Sequence, residues 1–509
     1  MTSLNRKLLR DLAVMKGQTL AIALILACGV ALFVMSVSTL QSLDSTLSAY
    51  YQRYQFGDCF VRLKRAPRHL ASRIAALEGV ARVEARIVQE VILDVRGMAE
   101  PAVGRLVSIP EQGAPVLNRL HLRRGRYPEP GRSGEVLASE AFVKAHGFRI
   151  GDGVSAVLNG RRQELTIVGV ALSPEYIYQF PPGGLLPDDR RFGVFWMGEK
   201  GLEAAFDMKE AVNEACVGLS RGASQPEILR QLDRLTAPYG GLGAHGRTEQ
   251  SSHQFITNEM RELRGMALVV PVIFLLVAAF LVNVVLSRLI SIQRGEIATL
   301  KAFGYMRSEV GWHYLKMALA MVTLGAVAGT LAGARLGAEL TALYTRFFRF
   351  PLFAYKLSAG VLLLAGGASG LTALSGALWA VRRAVRLAPA AAMRPEPPAR
   401  YRPTLLERAG LGALVPPAGR MVLRNLERRP LKALLSCLGI ALATAVLILG
   451  NFSMDALDYA MESQFFVTQR EDMNLTFVEP AARQALHDLS RLPGVWACEP
   501  FRTVPVHLR

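Results

Sequence analysis

The sequence predicts an integral membrane α-helical protein with about five transmembrane helices and a mixed α/β extracytoplasmic domain. Long uncharged apolar runs recur along the chain, a polar stretch separates the first run from the others, and lysine and arginine collect beside alternate ends of the runs. The 509 residues are 51% hydrophobic with a mean hydropathy of +0.26, an average that conceals this split.

Residues 1–18 form a basic amphipathic leader holding Arg6, Lys7, Arg10 and Lys16. The run at 19–40 is too long for the apolar core of a signal peptide and no small-x-small cleavage site follows, so it reads as an uncleaved anchor. Further spans are expected at 266–287, with Pro271 as a candidate bend, and at 317–334, 357–381 and 433–451. Each can cross a hydrocarbon core of about 30 Å as a helix, the form that satisfies its backbone within itself where lipid offers no partners.

Orientation follows from the basic residues. The leader, the segment 288–316 (Arg288, Arg294, Lys301, Arg307) and the linker 382–432 alternate correctly if all three are cytoplasmic. Arg335, Arg346, Arg349 and Lys356, between spans three and four, run against the rule. The segment 41–265 is then extracytoplasmic, as is 452–509. The net charge of +18 therefore belongs to membrane topology, and lipid rather than nucleic acid is the expected partner. Gly325, Gly329, Gly333 and Gly337 share one face of span three, with Gly366 and Gly370 in span four, a spacing that lets helix backbones approach closely. No charge lies mid-span, so no proton relay is expected.

An internal repeat is visible. Leu9-Arg10-Asp11-Leu12 before span one corresponds to Leu423-Arg424-Asn425-Leu426 before span five, and Asp58 to Asp472. Ala76-Leu77-Glu78-Gly79-Val80 then corresponds to Arg491-Leu492-Pro493-Gly494-Val495, each ahead of a β-like run. The expectation is one four-span half followed by the start of a second, incomplete repeat.

In the polar domain, strands are expected at 59–63, 87–95, 153–158, 164–170 and 192–197, and helices at 68–77, 140–146 and 225–235. Gly151-Asp152-Gly153 and Asn159-Gly160 read as turns. Cys59 and Cys216 lie where a disulfide is permitted, whereas Cys28 and Cys437 read as small residues of the spans. No nucleotide-binding, zinc-protease or serine-hydrolase motif is present, and no catalytic or metal-ligating residue is expected. Gly241-Leu-Gly243-Ala-His-Gly246 matches a dinucleotide pattern only formally, without its strand–helix setting. Asp188-Asp189 reads as a solvated turn and Pro181-Pro182-Gly183-Gly184 as a rigid loop.

After span two stands Ser291-Ile-Gln-Arg294-Gly-Glu296-Ile-Ala-Thr299-Leu-Lys301-Ala-Phe-Gly304-Tyr305, and span four ends in Arg382-Arg383-Ala-Val-Arg386-Leu-Ala-Pro389-Ala-Ala-Ala-Met-Arg394-Pro. In this order the two segments resemble the FtsX-like ABC transporter permease family. Gly125-Arg126, Glu135-Val-Leu137, Gly151-Asp152 and Val168-Gly169-Val170 are similar to the MacB-like periplasmic domain of its macrolide-exporter and lipoprotein-releasing members. The resemblance implies a bacterial inner-membrane permease that is not itself an enzyme. Its partner ATPase would be a separate chain binding ATP-Mg, with no cofactor on this one. It implies mechanotransmission to the external domain, for export or extraction of lipoprotein, lipid or a hydrophobic compound, or for activating a periplasmic partner. A periplasmic adaptor or a second permease copy are further implied partners. ATPase coupling falls on Arg294, Glu296, Thr299, Lys301, Gly304 and Tyr305. At helical spacing Arg294, Ala298 and Lys301 share one face, and Ile297, Leu300 and Gly304 another. The expectation is that the apolar face enters the ATPase, Glu296 and Lys301 pair at its rims, and Gly304 ends the helix in a left-handed cap. The alternative class is a membrane-anchored receptor or scaffold without ATP-driven movement.

The topology is testable. Single cysteines at Glu140, Asp188 and Asp472 should react with an impermeant thiol reagent in intact cells, and those at Arg294 and Arg394 only after lysis. The reverse pattern would refute the orientation.

Overall fold

Apolar content and helix length coincide. Among the described residues, five helices of the computed structural model are long and apolar enough to cross a membrane: Lys16–Arg53, Ser251–Ile292, Arg307–Phe347, Ala359–Arg386 and Cys437–Thr468. The structure describes residues 3–181, 187–386, 388, 416–428, 430–475, 477 and 481–501. Most of the linker 382–432, with Pro389 and Arg394, and residues 182–184 of the proline–glycine loop lie outside the described residues.

Residues 1–443 form one unit. The amphipathic helix α1 (Ser3–Val14) leads into α2 (Lys16–Arg53). The α/β domain follows, and the chain returns through α7 (Ser251–Ile292), α8 (Arg294–Ala302), α9 (Arg307–Phe347) and α10 (Ala359–Arg386). Near its end stand α11 (Pro417–Arg428) and the start of α12 (Pro430–Glu462). The helices α2, α7, α9 and α10 share a core built from Leu26, Val30 and Val34, Ala278 and Val282, Met317 and Met321, and Ala373 and Ala377.

Close approach depends on glycine. A Cβ at Gly325, Gly329 or Gly333 of α9 would lie 2.6 Å from the carbonyl oxygen of Ala23, Ala27 or Ala31 of α2. A Cβ at Gly337 would meet Tyr355 at 2.7 Å and Ser38 at 3.1 Å. In α10 the close contact is at Gly376, 2.5 Å from the Ala279 carbonyl oxygen of α7. Gly366 and Gly370 have nothing within 4 Å, which corrects their expected packing role. Their spacing matches a packing motif, but Gly366 is exposed and Gly370 only half-buried, and no neighbouring helix comes close to either.

Three spans continue as helix beyond the expected bounds. Residues 41–53, 251–265 and 335–347, expected outside the spans, are the continuations of α2, α7 and α9. They form a stalk because each keeps an apolar stripe. Leu43, Leu47 and Tyr50 of α2 meet Ile256, Met260 and Leu263 of α7 and Tyr344 of α9, with Phe348 and Phe350 beyond. Polar ties cross the stalk: Tyr344 donates to Glu259, and the Tyr51 hydroxyl lies 2.9 Å from His253 Nδ1.

The α/β domain contains β1 (Cys59–Pro67), α3 (Leu70–Ala75), β2 (Val80–Arg86), β3 (Val88–Asp94), β4 (Ala102–Ile109), β5 (His121–Gly125) and β6 (Glu135–Ser139). Then come α4 (Glu140–His146), β7 (Gly153–Leu158), β8 (Arg161–Leu172), β9 (Phe192–Gly198), α5 (Glu199–Ala205), β10 (Ala211–Leu219), α6 (Gln225–Thr236) and β11 (Gly241–Gly246). A four-stranded sheet has the order β11-β1-β10-β2, all antiparallel. Seven strands follow the order β5-β8-β6-β9-β4-β3-β7, and a further β8–β7 pairing closes six of them into a ring around Leu93, Leu106, Val136, Phe142, Leu165 and Phe195. Asn159 (φ +48°) and Gly160 (φ +78°) both take left-handed backbone, making the tight β7–β8 turn that an Asn-Gly pair favours.

Cys216 pairs with Phe60 across β1 and β10 and therefore shares its face; Cys59, one residue along, points to the other face. Both thiols are free, so the permitted disulfide does not form. Burial pushes the Cys59 thiol up to about 11, keeping it protonated.

Residues 444–509 form a second unit with the rest of α12, a π-helical turn Ser463–Thr468 and a short helix α13 (Gln484–Ser490). Beyond α13 no strand occurs among the described residues, although a β-like run was expected there.

Gly329→Ala should destabilise the detergent-solubilised protein by about 1–3 kcal/mol, because backbone must move to admit the methyl. Gly366→Ala should be neutral or stabilising by up to about 1 kcal/mol, the helix-propensity gain alone. Equal thermal midpoints for the two variants would refute this packing.

Candidate functional site

The bundle ends in a helical corner. Gln293 (φ −85°, ψ 19°) breaks the run between α7 and α8, and the Tyr314 hydroxyl donates to its side-chain oxygen at 2.9 Å. Gly304 (φ +93°) ends α8, with its N–H on Lys301 O at 3.2 Å and the Tyr305 N–H on Leu300 O at 3.2 Å. Glu309 then caps α9 by accepting the Met306 N–H at 2.8 Å. Phe303 to Met306 thus form a tight corner joining α8 to α9.

The structure places the expected coupling residues on this corner but gives them different neighbours. Of the expected docking face, Ile297 is 1% exposed and packs into the bundle core, whereas Leu300 is half-buried and Gly304 exposed; Ala298, on the other face, is buried as well. Ile297 is therefore covered by its own bundle and is corrected as a docking residue. Apolar residues at helical spacing mark burial without saying whether the cover comes from the same chain. Lys301 Nζ donates to the carbonyl oxygens of Ala384 at 2.9 Å and Val385 at 3.0 Å, holding the last turn of α10 where backbone acceptors lack helical partners. Thr299 is exposed, its hydroxyl on Gly295 O at 3.0 Å, and Tyr305 packs against the bundle core. Arg294 also has interactions within the chain.

Glu296 is paired inside the chain. Lys7 Nζ of α1 lies 2.7 Å from Glu296 Oε2 and 2.8 Å from Asp11 Oδ2. The basic leader thus contributes one of its lysines to α8, and Leu8, Leu12 and Met15 pack against the bundle core. Two further residues of the corner stand outside the expected coupling set. Phe303 is 81% exposed and Met306 69% exposed, with Ile292 and Trp312 also exposed nearby. An aromatic side chain left in the open at a turn between two buried helices is the signal that could have marked it.

Elsewhere the chemistry is structural. Arg86, Glu175 and Glu214 form a buried ion cluster in the α/β domain, with Arg62 also donating to Glu214 at 2.9 Å. Burial pushes the Glu214 carboxyl up, but the facing Arg86 and Arg62 outweigh it and hold it below the usual carboxylate range. The formal dinucleotide pattern is strand β11, its backbone engaged in the ladder with β1. Among the described residues no group of three or more His, Cys, Asp or Glu gathers for a metal. An open cleft of about 450 Å³ lies between Arg96, Glu100, His146, Asp188, Arg190 and Arg191, with Arg191 and Glu100 paired at 2.7 Å. Asp188 accepts from the N–H groups of Arg190 and Arg191, each at 3.0 Å, as a turn residue should, whereas Asp189 is engaged by Arg349.

The fold and this corner define a polytopic membrane protein with one α/β domain inserted between its first two spans. Residues 268–389 match the family model described as FtsX-like permease C-terminal. The match begins within α7, runs through α8 and α9 and extends past the end of α10, so the chain carries an FtsX-like permease domain. The chain is also similar to the periplasmic region of MacB from Actinobacillus actinomycetemcomitans, at 12% identity over 42% of this chain and 97% of that one, with a TM-score of 0.26. It is similar to the extracellular domain of the noncanonic ABC-type transporter YknZ from Gram-positive bacteria, at 13% identity over 36% and 97%, TM-score 0.25. A domain of a putative permease protein from Porphyromonas gingivalis gives 12% identity over 38% and 91%, TM-score 0.24. No curated protein matches.

The Lys7–Glu296 pair sets a test. Glu296 is about half exposed, so the pair should contribute no more than about 1 kcal/mol to global stability. Glu296→Lys should leave the melting curve unchanged while raising amide exchange in α1, and Lys7→Glu added to it should restore protection. Unchanged exchange in the single variant would show that the pair does not hold α1.

Proposed function

We propose that this chain is the transmembrane permease subunit of an ABC transporter in a bacterial inner membrane, working with an ATPase on a separate chain. The observation that carries this reading is the permease-family match across the helical corner and its flanking spans. In this reading α1, α8 and the ends of α7, α9 and α10 face the cytoplasm, as the lysine and arginine distribution argues, and the α/β domain lies outside. ATP-Mg binds the partner, and closing of the ATPase pushes on the corner. The docking surface is Thr299, Phe303 and Met306, with Lys7, Glu296 and Lys301 holding α8 in place behind them.

Transmission needs a stiff connection. α7 runs unbroken for 42 residues, about 63 Å at 1.5 Å per residue, from the corner to the α/β domain. α2 gives a parallel connection of 38 residues, about 57 Å on the same rise. Movement of the α/β domain would then extract or export a lipoprotein, lipid or hydrophobic compound, or act on a periplasmic adaptor.

The experiment is co-expression with an ATPase encoded beside this gene. The two should co-purify, and the permease should stimulate ATP hydrolysis. Phe303→Asp should weaken association by about 30-fold, the loss expected for an interface anchor worth about 2 kcal/mol, while leaving membrane insertion intact. A chain that purifies without any ATPase, or a Phe303→Asp variant that associates normally, would refute the reading or its docking surface respectively.

A further inference from the structure

We propose that the connection between α9 and α10, residues 348–358, is a strap that fastens α9 to the α/β domain, with Arg349 as its positioning residue. The strap makes α9 a second lever beside α7. Its ATP-driven role rests on the permease reading above, whereas the fastening itself does not.

The domain is covalently continuous only with α2 and α7, so α9 can move it only through contacts. Those contacts concentrate on the first residues after α9. Arg349 donates its backbone N–H to Ile177 O at 2.7 Å and its guanidinium to Asp189. Arg123, on β5, donates to Phe350 O at 3.0 Å. Phe348 and Phe350 are each 6% exposed, packed against Tyr178 and Tyr50 respectively. The far half of the connection grips α2 instead. Tyr355 OH lies 2.9 Å from Ser38 Oγ, Ser42 Oγ accepts the Lys356 N–H at 3.0 Å, and Ser358 donates to Gln41 at 2.8 Å. Eleven residues thus join α9, α2 and the domain.

What Arg349 holds explains its reach. Asp189 stands three residues before β9, whose first N–H, at Phe192, bonds to Asp188 O at 2.9 Å. β9 lies in the middle of the seven-stranded order, between β6 and β4. Ile177 follows the turn carrying Glu175, a member of the buried cluster that reaches β2 and β10 of the four-stranded sheet. One arginine therefore touches the entry to the large sheet with its side chain and the link to the small sheet with its backbone. At its other end α9 begins at the corner after α8. A push on that corner reaches β9 through α9 and Arg349 without passing along α7.

The test uses the full chain in lipid nanodiscs, with Cys28, Cys59, Cys216, Cys437 and Cys498 replaced and spin labels at Lys144→Cys in α4 and Glu339→Cys in α9, both well exposed. Without nucleotide, Arg349→Ala and Asp189→Ala should each broaden the inter-label distance distribution by about twofold, the mark of a domain released to move on α9. Arg349→Lys should stay narrower than Arg349→Ala, and the exchange Asp189→Arg with Arg349→Asp should recover much of the parent width. Widths equal to the parent in both alanine variants would overturn the strap. With the ATPase present, the parent distribution should shift on nucleotide trapping, while the alanine variants hydrolyse ATP but lose the shift. A retained shift with broadened width would overturn the lever while leaving the strap. A parent that never shifts would overturn the ATP-driven reading, and the nucleotide-free widths would still decide whether Arg349 fastens the domain.

Discussion

The contact of α9 with α2 sets the geometry on which the rest depends. In lipid, apolar side chains gain little by leaving hydrocarbon for one another, so helices associate where backbones can pack closely. Three glycines, four residues apart, bring α9 against the carbonyl oxygens of Ala23, Ala27 and Ala31. Four-residue spacing keeps them in one row along α9, and the row continues to Gly337, where Tyr355 and Ser38 close the space. The seam is therefore continuous from the bundle into the stalk. A helix held along one edge for this length cannot easily tilt away from its partner, although it can slide or move together with it.

Above the bundle the balance changes. Stalk residues such as Leu43, Leu47, Ile256 and Met260 bury apolar surface away from water, so the ordinary hydrophobic gain applies there. Polar ties such as Tyr344 to Glu259 then fix which faces meet. Within the α/β domain the buried Arg86, Glu175 and Glu214 do similar work at the junction of the two sheets. Removing one member of such a cluster would cost about 3–5 kcal/mol, because the others are left charged and dry. The cluster is thus a poor place for movement, and the domain is best regarded as a body carried by the stalk.

Much of this was legible in the residues, for identifiable reasons. The spans were legible because hydropathy reports lipid directly, and the Asn159-Gly160 turn because its backbone demands those residue types. The stalk was not, since residues 41–53 and 251–265 are amphipathic and give no sign that they continue a span. The ring of strands was also hidden: β4 pairs in parallel with β9 and β6 with β8, across long stretches of sequence, and no local pattern encodes such partners. At the corner, the position of α8 was legible and its orientation was not. Ile297 has the same signature whether it meets a partner or its own bundle. Lys7 was obscured by its basic neighbours, whose charge reads as topology before it reads as a specific ion pair.

The difference between the two ends of α9 bears on how force would pass through it. At the corner, α9 is joined to α8 covalently through a tight turn, and Lys301 pins that turn to α10. At the strap, α9 is joined to the domain by directional contacts: an ion pair, two bonds to backbone carbonyls and aromatic packing. Apolar packing alone resists separation but slides with little cost, because it has no preferred register. An arginine donating in two directions, to Asp189 and to Ile177, fixes the register as well. Asp189 is partly buried, which raises its carboxyl, and Arg349 is the opposing influence that favours its charged form. The pair is therefore shielded enough to hold, yet close enough to water to be remade if it opens. Such a fastening suits a connection that must transmit small displacements repeatedly, where a fully buried pair would cost too much to break and an exposed one would hold too little.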